Sequence, residues 1–175
     1  MATALRARGA NVALLDLDAA AAAAQAEGLG GGFVARGWAA DVRDLAELER
    51  VMSEVVDHFG HLDALVAGAG VLGRLTALSA TSEGDWARVI DINLNGVWRT
   101  FKAAAPHVAK RRGHLLAMSS MIAYIHPPLL GSYAASKAAV AAMCDALRLE
   151  LATAGVDRRQ CPSGHLPHPD DRGCA

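Results

Sequence analysis

Short apolar runs alternate with longer stretches of helical period along this chain, and that alternation leaves few folds open to it. Residues 11–16 form an apolar run closed by an acid and read as a buried strand. Residues 18–27 are alanine-rich, helical by propensity, and ended by Gly28. Residues 33–40 predict a weaker strand, because Gly37 interrupts them. Asp44 and Glu47 then set a capping-box pattern, after which Leu45, Leu48, Met52, Val55 and Phe59 recur at helical spacing until Gly60. Residues 62–67 predict another strand, running into Gly68, Ala69 and Gly70. Helices follow over 81–92 and 97–110, the second with a kink at Pro106. A strand over 114–118 precedes a long helix over 133–153, whose apolar stripe is Val140, Met143, Cys144, Leu147 and Leu151 and whose stop is Gly155. Strands alternating with helices argue for the doubly wound α/β class, a Rossmann-type parallel sheet with helices on both faces. The expected core includes Val12, Leu14, Leu65, Val66, Leu115, Leu116, Val140 and Leu147.

A chain of 175 residues suits one domain. Its net charge of −1 offers no electrostatic reason to bind nucleic acid or an anionic membrane. The apolar run at residues 12–15 is too short for a signal-peptide core or a membrane span. Cys144, Cys161 and Cys174 lack paired spacing, which fits a reducing compartment and hence the cytoplasm. Cys144, Trp38, Trp86 and Trp98 are expected to pack rather than react. Residues 158–175 hold three prolines, two histidines and two cysteines with no structural period. The expected organisation is therefore a unit over 1–157 and an irregular tail over 158–175. Cys161, His165, His168 and Cys174 fit no standard zinc spacing, so no metal site is expected.

The chemistry concentrates near the long helix. Tyr133-Ala-Ala-Ser-Lys137 places a phenol and an ammonium on one helix face. A free phenol, with a pKa of about 10, exchanges protons poorly at neutral pH. A neighbouring ammonium favours the tyrosinate and makes the phenol a better proton donor and acceptor. Ser120 ends the preceding strand, where its hydroxyl can reach the same substrate oxygen. Asp16 is either a strand-end turn residue or a ligand for ribose hydroxyls. Asp41 and Val42 read equally as a plain strand-end turn, and Ala67, Gly68, Ala69 and Gly70 as a tight turn that lets a ligand approach the backbone.

Around Tyr133 and Lys137 stand Asp91-Ile-Asn93-Leu-Asn-Gly96, Met118-Ser-Ser120 and Gly131-Ser-Tyr133. In type, order and spacing these resemble the short-chain dehydrogenase/reductase family, from about residue 4 to residue 157. The resemblance implies an oxidoreductase that moves hydride between a nicotinamide cofactor and a small-molecule carbonyl or alcohol. It implies a catalytic tetrad of Asn93, Ser120, Tyr133 and Lys137. Tyr133 is then the general acid/base, and Lys137 binds the nicotinamide ribose and tunes Tyr133. Ser120 positions the substrate oxygen, and Asn93 holds a water in the proton relay. Ala67 to Gly70 occupy the place of the family's Asn-Asn-Ala-Gly segment, without its asparagines. Asp16 on the adenosine ribose points to NAD over NADP, and Asp41 and Val42 lie near the adenine. The family also implies a homodimer or homotetramer. The apolar residues Ile122, Ile125, Leu129 and Leu130 favour a hydrophobic substrate.

Two departures accompany the resemblance. The family begins with a strand and a glycine-rich turn, whereas residues 1–9 here resemble the inside of the helix that follows that turn. Glycines do cluster at 28–32, but after a helix rather than a strand. From Arg158 onward the family pattern stops, as a frameshift would make it. The expected fold is thus an incomplete sheet. An inactive truncated fragment or non-enzymatic paralogue stands as the alternative to an enzyme, and the chain as written is expected neither to bind NAD nor to turn over. An intact α/β domain of another class would leave the pairing of Tyr133 with Lys137 to chance.

Overall fold

A computed structural model describes residues 1–153. Gly155, the expected tail and its histidines and cysteines lie outside the described residues. The chain opens with a short helix α1 (Ala2–Arg6), as residues 1–9 suggested, and then β1 (Val12–Asp16). Helix α2 (Ala19–Gly28) is capped by Asp18, whose carboxylate accepts the N–H groups of Ala20 and Ala21.

Strand β2 (Ala35–Ala39) runs straight through Gly37. The glycine does not interrupt the strand, because it solves a packing problem. A Cβ there would lie 2.6 Å from the backbone oxygen of Ala22 in α2. Its bare Cα lets helix and strand touch backbone to backbone.

Helix α3 (Leu45–Phe59) begins at Asp44, whose side chain accepts the N–H of Glu47. The reciprocal half of the expected capping box is redirected, since Glu47 Oε2 accepts the N–H of Asp41 at 2.9 Å. Gly60, at φ 84°, closes the helix in the left-handed conformation that glycine adopts freely.

Strand β3 (Ala64–Ala67) leads through a loop to α4 (Glu83–Ile90) and α5 (Gly96–Ala109). A π-helical turn over Asp91–Asn95 joins these two helices into a continuous rod, where the sequence suggested separate ones. Strand β4 (His114–Ala117) and a short helix α6 (Ile122–Ile125), which the sequence did not suggest, precede α7 (Gly131–Thr153).

Among the described residues all strand pairing is parallel, as expected for this α/β class. It comes as two pairs: β1 on β2, from Val12↔Ala35 to Asp16↔Ala39, and β3 on β4, from Ala64↔His114 to Ala67↔Ala117. Alternate residues of a parallel strand bond to alternate sides. Val12 N–H bonds to Val34, and Asp63 and Ala67 carbonyls accept from His114 and Met118. The backbone groups of Ala13 and Leu15, and of Ala64 and Val66, therefore point to edges where no ladder forms among the described residues.

Those open edges explain a correction to the expected core. Val12 and Val140 are buried, but Leu14, Leu65, Val66, Leu115, Leu116 and Leu147 are only half-buried. The tightest packing lies between helices. Leu48, Val51, Met52 and Val55 of α3 meet Ala103, Ala104 and Val108 of α5, with Trp38 beside them. Burying each such leucine or valine stabilises by roughly 1.5–3 kcal/mol. Ala13 and Leu15 from one strand pair and Leu65 and Leu115 from the other pack on this same cluster, so one helical layer backs both pairs. A second cluster joins Ala67, Val97, Phe101 and Val140, with Cys144 packed at its margin. Trp38 packs as expected. Trp86 and Trp98 do not, being 38% and 48% exposed on α4 and α5, with Lys102 lying over the Trp98 ring.

Candidate active site

Parallel strands deliver their carboxyl ends to one side, and the expected site residues lie at or just past those ends. Asp16 ends β1, Asp41 and Val42 follow β2, Ala67 to Gly70 end β3, and Ser120 follows β4. Open α/β sheets bind ligands at this rim.

The centre of the site is held by α7. Lys137 is 4% exposed, and its Nζ donates to the Met118 carbonyl at 2.6 Å. The same ammonium lies 5.7 Å from the centroid of the Tyr133 ring. Burial pushes the Lys137 ammonium below its ordinary pKa, since water is removed from the charged form. Ser119 Oγ donates to the Lys137 carbonyl at 3.3 Å, so the segment after β4 is pinned to α7 by two bonds. Ser120 follows at once. It is half-buried, and its Oγ accepts the N–H of Ile122 at the start of α6.

Asn93 is fully buried within the π-helical turn. Its Oδ1 accepts the Val71 N–H at 2.7 Å. Its Nδ2 donates to the Val71 carbonyl at 2.8 Å and to Ser136 Oγ at 3.1 Å. The side-chain amide of Asn93, the residue expected to hold a water, is thus engaged by protein partners. A Cβ on Gly70 would sit 3.3 Å from Asn93 Oδ1 and 3.7 Å from Lys137 Nζ. The backbone after β3 therefore comes close to both the amide and the ammonium, where glycine leaves the room.

The other end of the rim is electrostatic. Asp16 is exposed, and its Oδ1 accepts the N–H of Asp18. Asp41 receives three bonds from the Arg43 side chain, Nε to Oδ1 at 3.0 Å and to Oδ2 at 2.9 Å, and Nη2 to Oδ2 at 2.5 Å. That guanidinium lowers the Asp41 pKa below the usual carboxylate range. Val42 packs on Gly96, where a Cβ would lie 2.8 Å from Val42 Cγ2. Burial raises the Asp91 pKa, but bonds from Arg99 and Asn95 outweigh it and leave a net lowering.

The structure thus brings Gly70, Asn93, Tyr133 and Lys137 into one cluster, with Ser120 beside the pinned Met118. Asp16, Asp41 and Val42 form a separate group along the same rim. Sequence reasoning missed Val71, Ser119 and Ser136. The available signal for Ser136 was a lone hydroxyl within an alanine run, next to the lysine. Arg43 was legible only as a cation two residues past Asp41. Among the described residues no group of three metal-ligating side chains converges, and no helix is long and apolar enough to cross a membrane.

Comparison with known proteins places these features in a lineage. The family model for short chain dehydrogenase matches residues 1–164. An uncharacterized NAD-dependent oxidoreductase of Mycobacterium tuberculosis is 42% identical over 118 residues, 66% of this chain and 42% of that protein. L-fucose dehydrogenase of Mus musculus is 34% identical over 148 residues, 85% of this chain and 53% of that protein. Among solved structures, a short-chain dehydrogenase/reductase of Brucella melitensis has a TM-score of 0.81 at 33% identity, covering 86% of this chain and 63% of that one. The chain spans about half the length of the curated relatives it matches.

Proposed function

The chain belongs to the short-chain dehydrogenase family, and we propose from that starting point that its site transfers hydride between a nicotinamide dinucleotide and a small-molecule carbonyl or alcohol. The observation that carries this reading is the cluster of Tyr133, Lys137, Asn93 and Gly70 at the carboxyl ends of parallel strands.

The residues fit such a cofactor at two points. The Gly70 backbone lies open between Asn93 and Lys137, where a side chain would crowd both. Asp16 is exposed at the end of β1, with only its Oδ1 bonded, to the Asp18 N–H, among the described residues. When bound, the cofactor supplies the hydride acceptor or donor. Lys137 would hold its nicotinamide ribose, with Ala67, Gly68, Ala69 and Gly70 along the adjoining surface, while Asp16, Asp41 and Val42 would take the adenosine end. A carboxylate at Asp16 accepts from ribose hydroxyls and repels a 2′-phosphate, which favours NAD over NADP. Relatives of both kinds exist: one solved neighbour carries NAD and another 5-hydroxy-NADP.

In the reaction the Tyr133 phenol gives a proton to the carbonyl oxygen during reduction and takes it back from the alcohol during oxidation. Ser120 donates to the same oxygen and orients it. Lys137, beside the phenol, stabilises negative charge on it. Asn93 fixes the backbone that flanks them. The exposed apolar side chains of Ile125 and Leu129, from the segment between Ser120 and Tyr133, favour a hydrophobic substrate. Trp86 and Trp98 on α4 and α5 suit burial between subunits of a homodimer or homotetramer. The unpaired Cys144 thiol suits a reducing, cytoplasmic setting.

A second reading concerns the 175-residue polypeptide taken alone. Among the described residues no glycine-rich turn carries a strand directly into a helix, and the strand pairs do not join. Backbone N–H groups at such a turn are what cradle a pyrophosphate. Positioning of the reactants can supply roughly 7–11 kcal/mol of a barrier reduction, so catalytic side chains without it do little. We therefore expect this polypeptide alone neither to bind NADH nor to turn over. Titration with NADH followed by fluorescence tests this, beside a hybrid that adds a glycine-rich N-terminal segment and a C-terminal segment from a relative. Saturable binding by the hybrid alone supports the reading. Tight binding by the unextended chain would mean that another segment, with residues 28–32 first to be tested, cradles the phosphates.

A further inference from the structure

We propose that Ser136 is a positioning residue that acts through Asn93 to hold the Gly70–Val71 backbone beside Lys137. Ser136 is fully buried on α7, between the Tyr133 and Lys137 turns of the cluster. Its Oγ donates to the Tyr133 carbonyl at 2.7 Å and accepts from Asn93 Nδ2 at 3.1 Å.

A hydroxyl has one proton. Given to Tyr133, that proton leaves only lone pairs to face Asn93. The Asn93 amide is then fixed in one orientation. Its two N–H groups go to Ser136 and to the Val71 carbonyl, and its oxygen takes the Val71 N–H. Flipping the amide would set oxygen against the Val71 carbonyl and N–H against the Val71 N–H. Every group in the chain from Val71 through Asn93 and Ser136 to Tyr133 is satisfied, and each is buried or half-buried. Such a network has one low-energy arrangement.

The network spans elements far apart in sequence: the loop after β3, the π-helical turn and α7. Gly70, the residue it steadies, faces both Asn93 Oδ1 and Lys137 Nζ, close enough that a Cβ there would touch each. Ser136 therefore sets the spacing between the β3 loop and the helix that carries Tyr133 and Lys137. Touching no reacting atom, it works through Asn93. Its bearing on catalysis rests on the hydride-transfer reading, whereas the network itself does not.

Amide hydrogen exchange on the full 175-residue chain tests the proposal without any cofactor. The reporter is the Val71 N–H, and the control is the Val51 N–H in the α3 core, which opens only with larger unfolding. Ser136→Ala should speed Val71 exchange by about tenfold or more, since it leaves a buried amide donor unpaired, and should leave Val51 unchanged. Ser136→Thr, which keeps the hydroxyl, should restore Val71 to within about threefold of the parent. In an Asn93→Ala background, Ser136→Ala should add less than about twofold, because the link is already cut. Equal acceleration at Val51 and Val71 would reduce Ser136 to a general packing residue and overturn the proposal. So would an unchanged Val71 rate, or full additivity in the Asn93→Ala background. Should Tyr133→Phe later prove harmless to turnover, the hydride-transfer reading falls while these exchange results still decide the role of Ser136.

Discussion

Replacing Lys137 by methionine tests what burying its charge does to stability. Lys137 is 4% exposed, and its ammonium donates to the Met118 carbonyl. Methionine is close in volume and removes a buried charge. It also removes a charged hydrogen bond, worth about 1.5–3 kcal/mol. The two effects oppose each other at neutral pH, so the clean signal is the pH dependence. Burial lowers the folded-state pKa of Lys137 below its ordinary value of 10.5. Below the folded pKa both folded and unfolded states carry the proton, and the desolvation penalty is present in full. Between the folded pKa and about 10.5 the unfolded state binds more protons, so stability must rise with pH. The slope for one group is at most about 1.4 kcal/mol per pH unit. The assay is urea unfolding of parent and Lys137→Met from pH 7 upward, followed by circular dichroism and reported as the difference between the two. Other titrating groups cancel in that difference. The parent should gain on the variant as pH rises toward 10.5 and level off above it. A flat difference, or one that falls with pH, would refute the burial argument.

Gly37→Ala should destabilise by about 1–3 kcal/mol, the range for overpacking, because its methyl meets the α2 backbone rather than a movable side chain; a loss under about 0.5 kcal/mol in urea unfolding would contradict the backbone contact. Arg99→Ala should raise the Asp91 pKa toward or above the ordinary carboxylate value, since burial alone pushes it up and Arg99 is the main opposing group; carboxyl carbon NMR titration reads this directly. Arg43→Ala should likewise raise Asp41, and the stability that the Arg43–Asp41 pair contributes should be present above about pH 4 and fade as pH falls through the lowered folded-state value.

The alternation of apolar runs and helical stretches was enough to give each strand and each long helix, because both periods survive in sequence. Boundaries moved by at most two residues, and caps such as Asp18 and Asp44 were readable from type alone. What sequence could not show was where burial falls. Leu14, Leu65 and Leu115 are as apolar as any core residue, yet their strands leave an edge unpaired and they remain half-buried. Gly37 looked like a breaker because the reason for it, the backbone of α2, lies fourteen or more positions away. The catalytic candidates were legible because Tyr133 and Lys137 share one helix. Ser136 was not, since its partner Asn93, and Val71 beyond it, come from elements whose approach only the fold reveals. Asn93 itself was expected at the site, but that its amide is wholly taken by protein atoms follows from geometry alone.

The account rests on Tyr133 as the proton-transferring group, and turnover of Tyr133→Phe tests that most directly. The measurement belongs on the hybrid with the added N- and C-terminal segments, with NADH and an apolar ketone, comparing kcat for parent and variant alongside NADH binding by fluorescence. Loss of a general acid/base should lower kcat by about 10²–10⁴-fold, with NADH affinity nearly unchanged. A variant that binds NADH and turns over at the parent's rate would remove Tyr133 from its role and contradict the account.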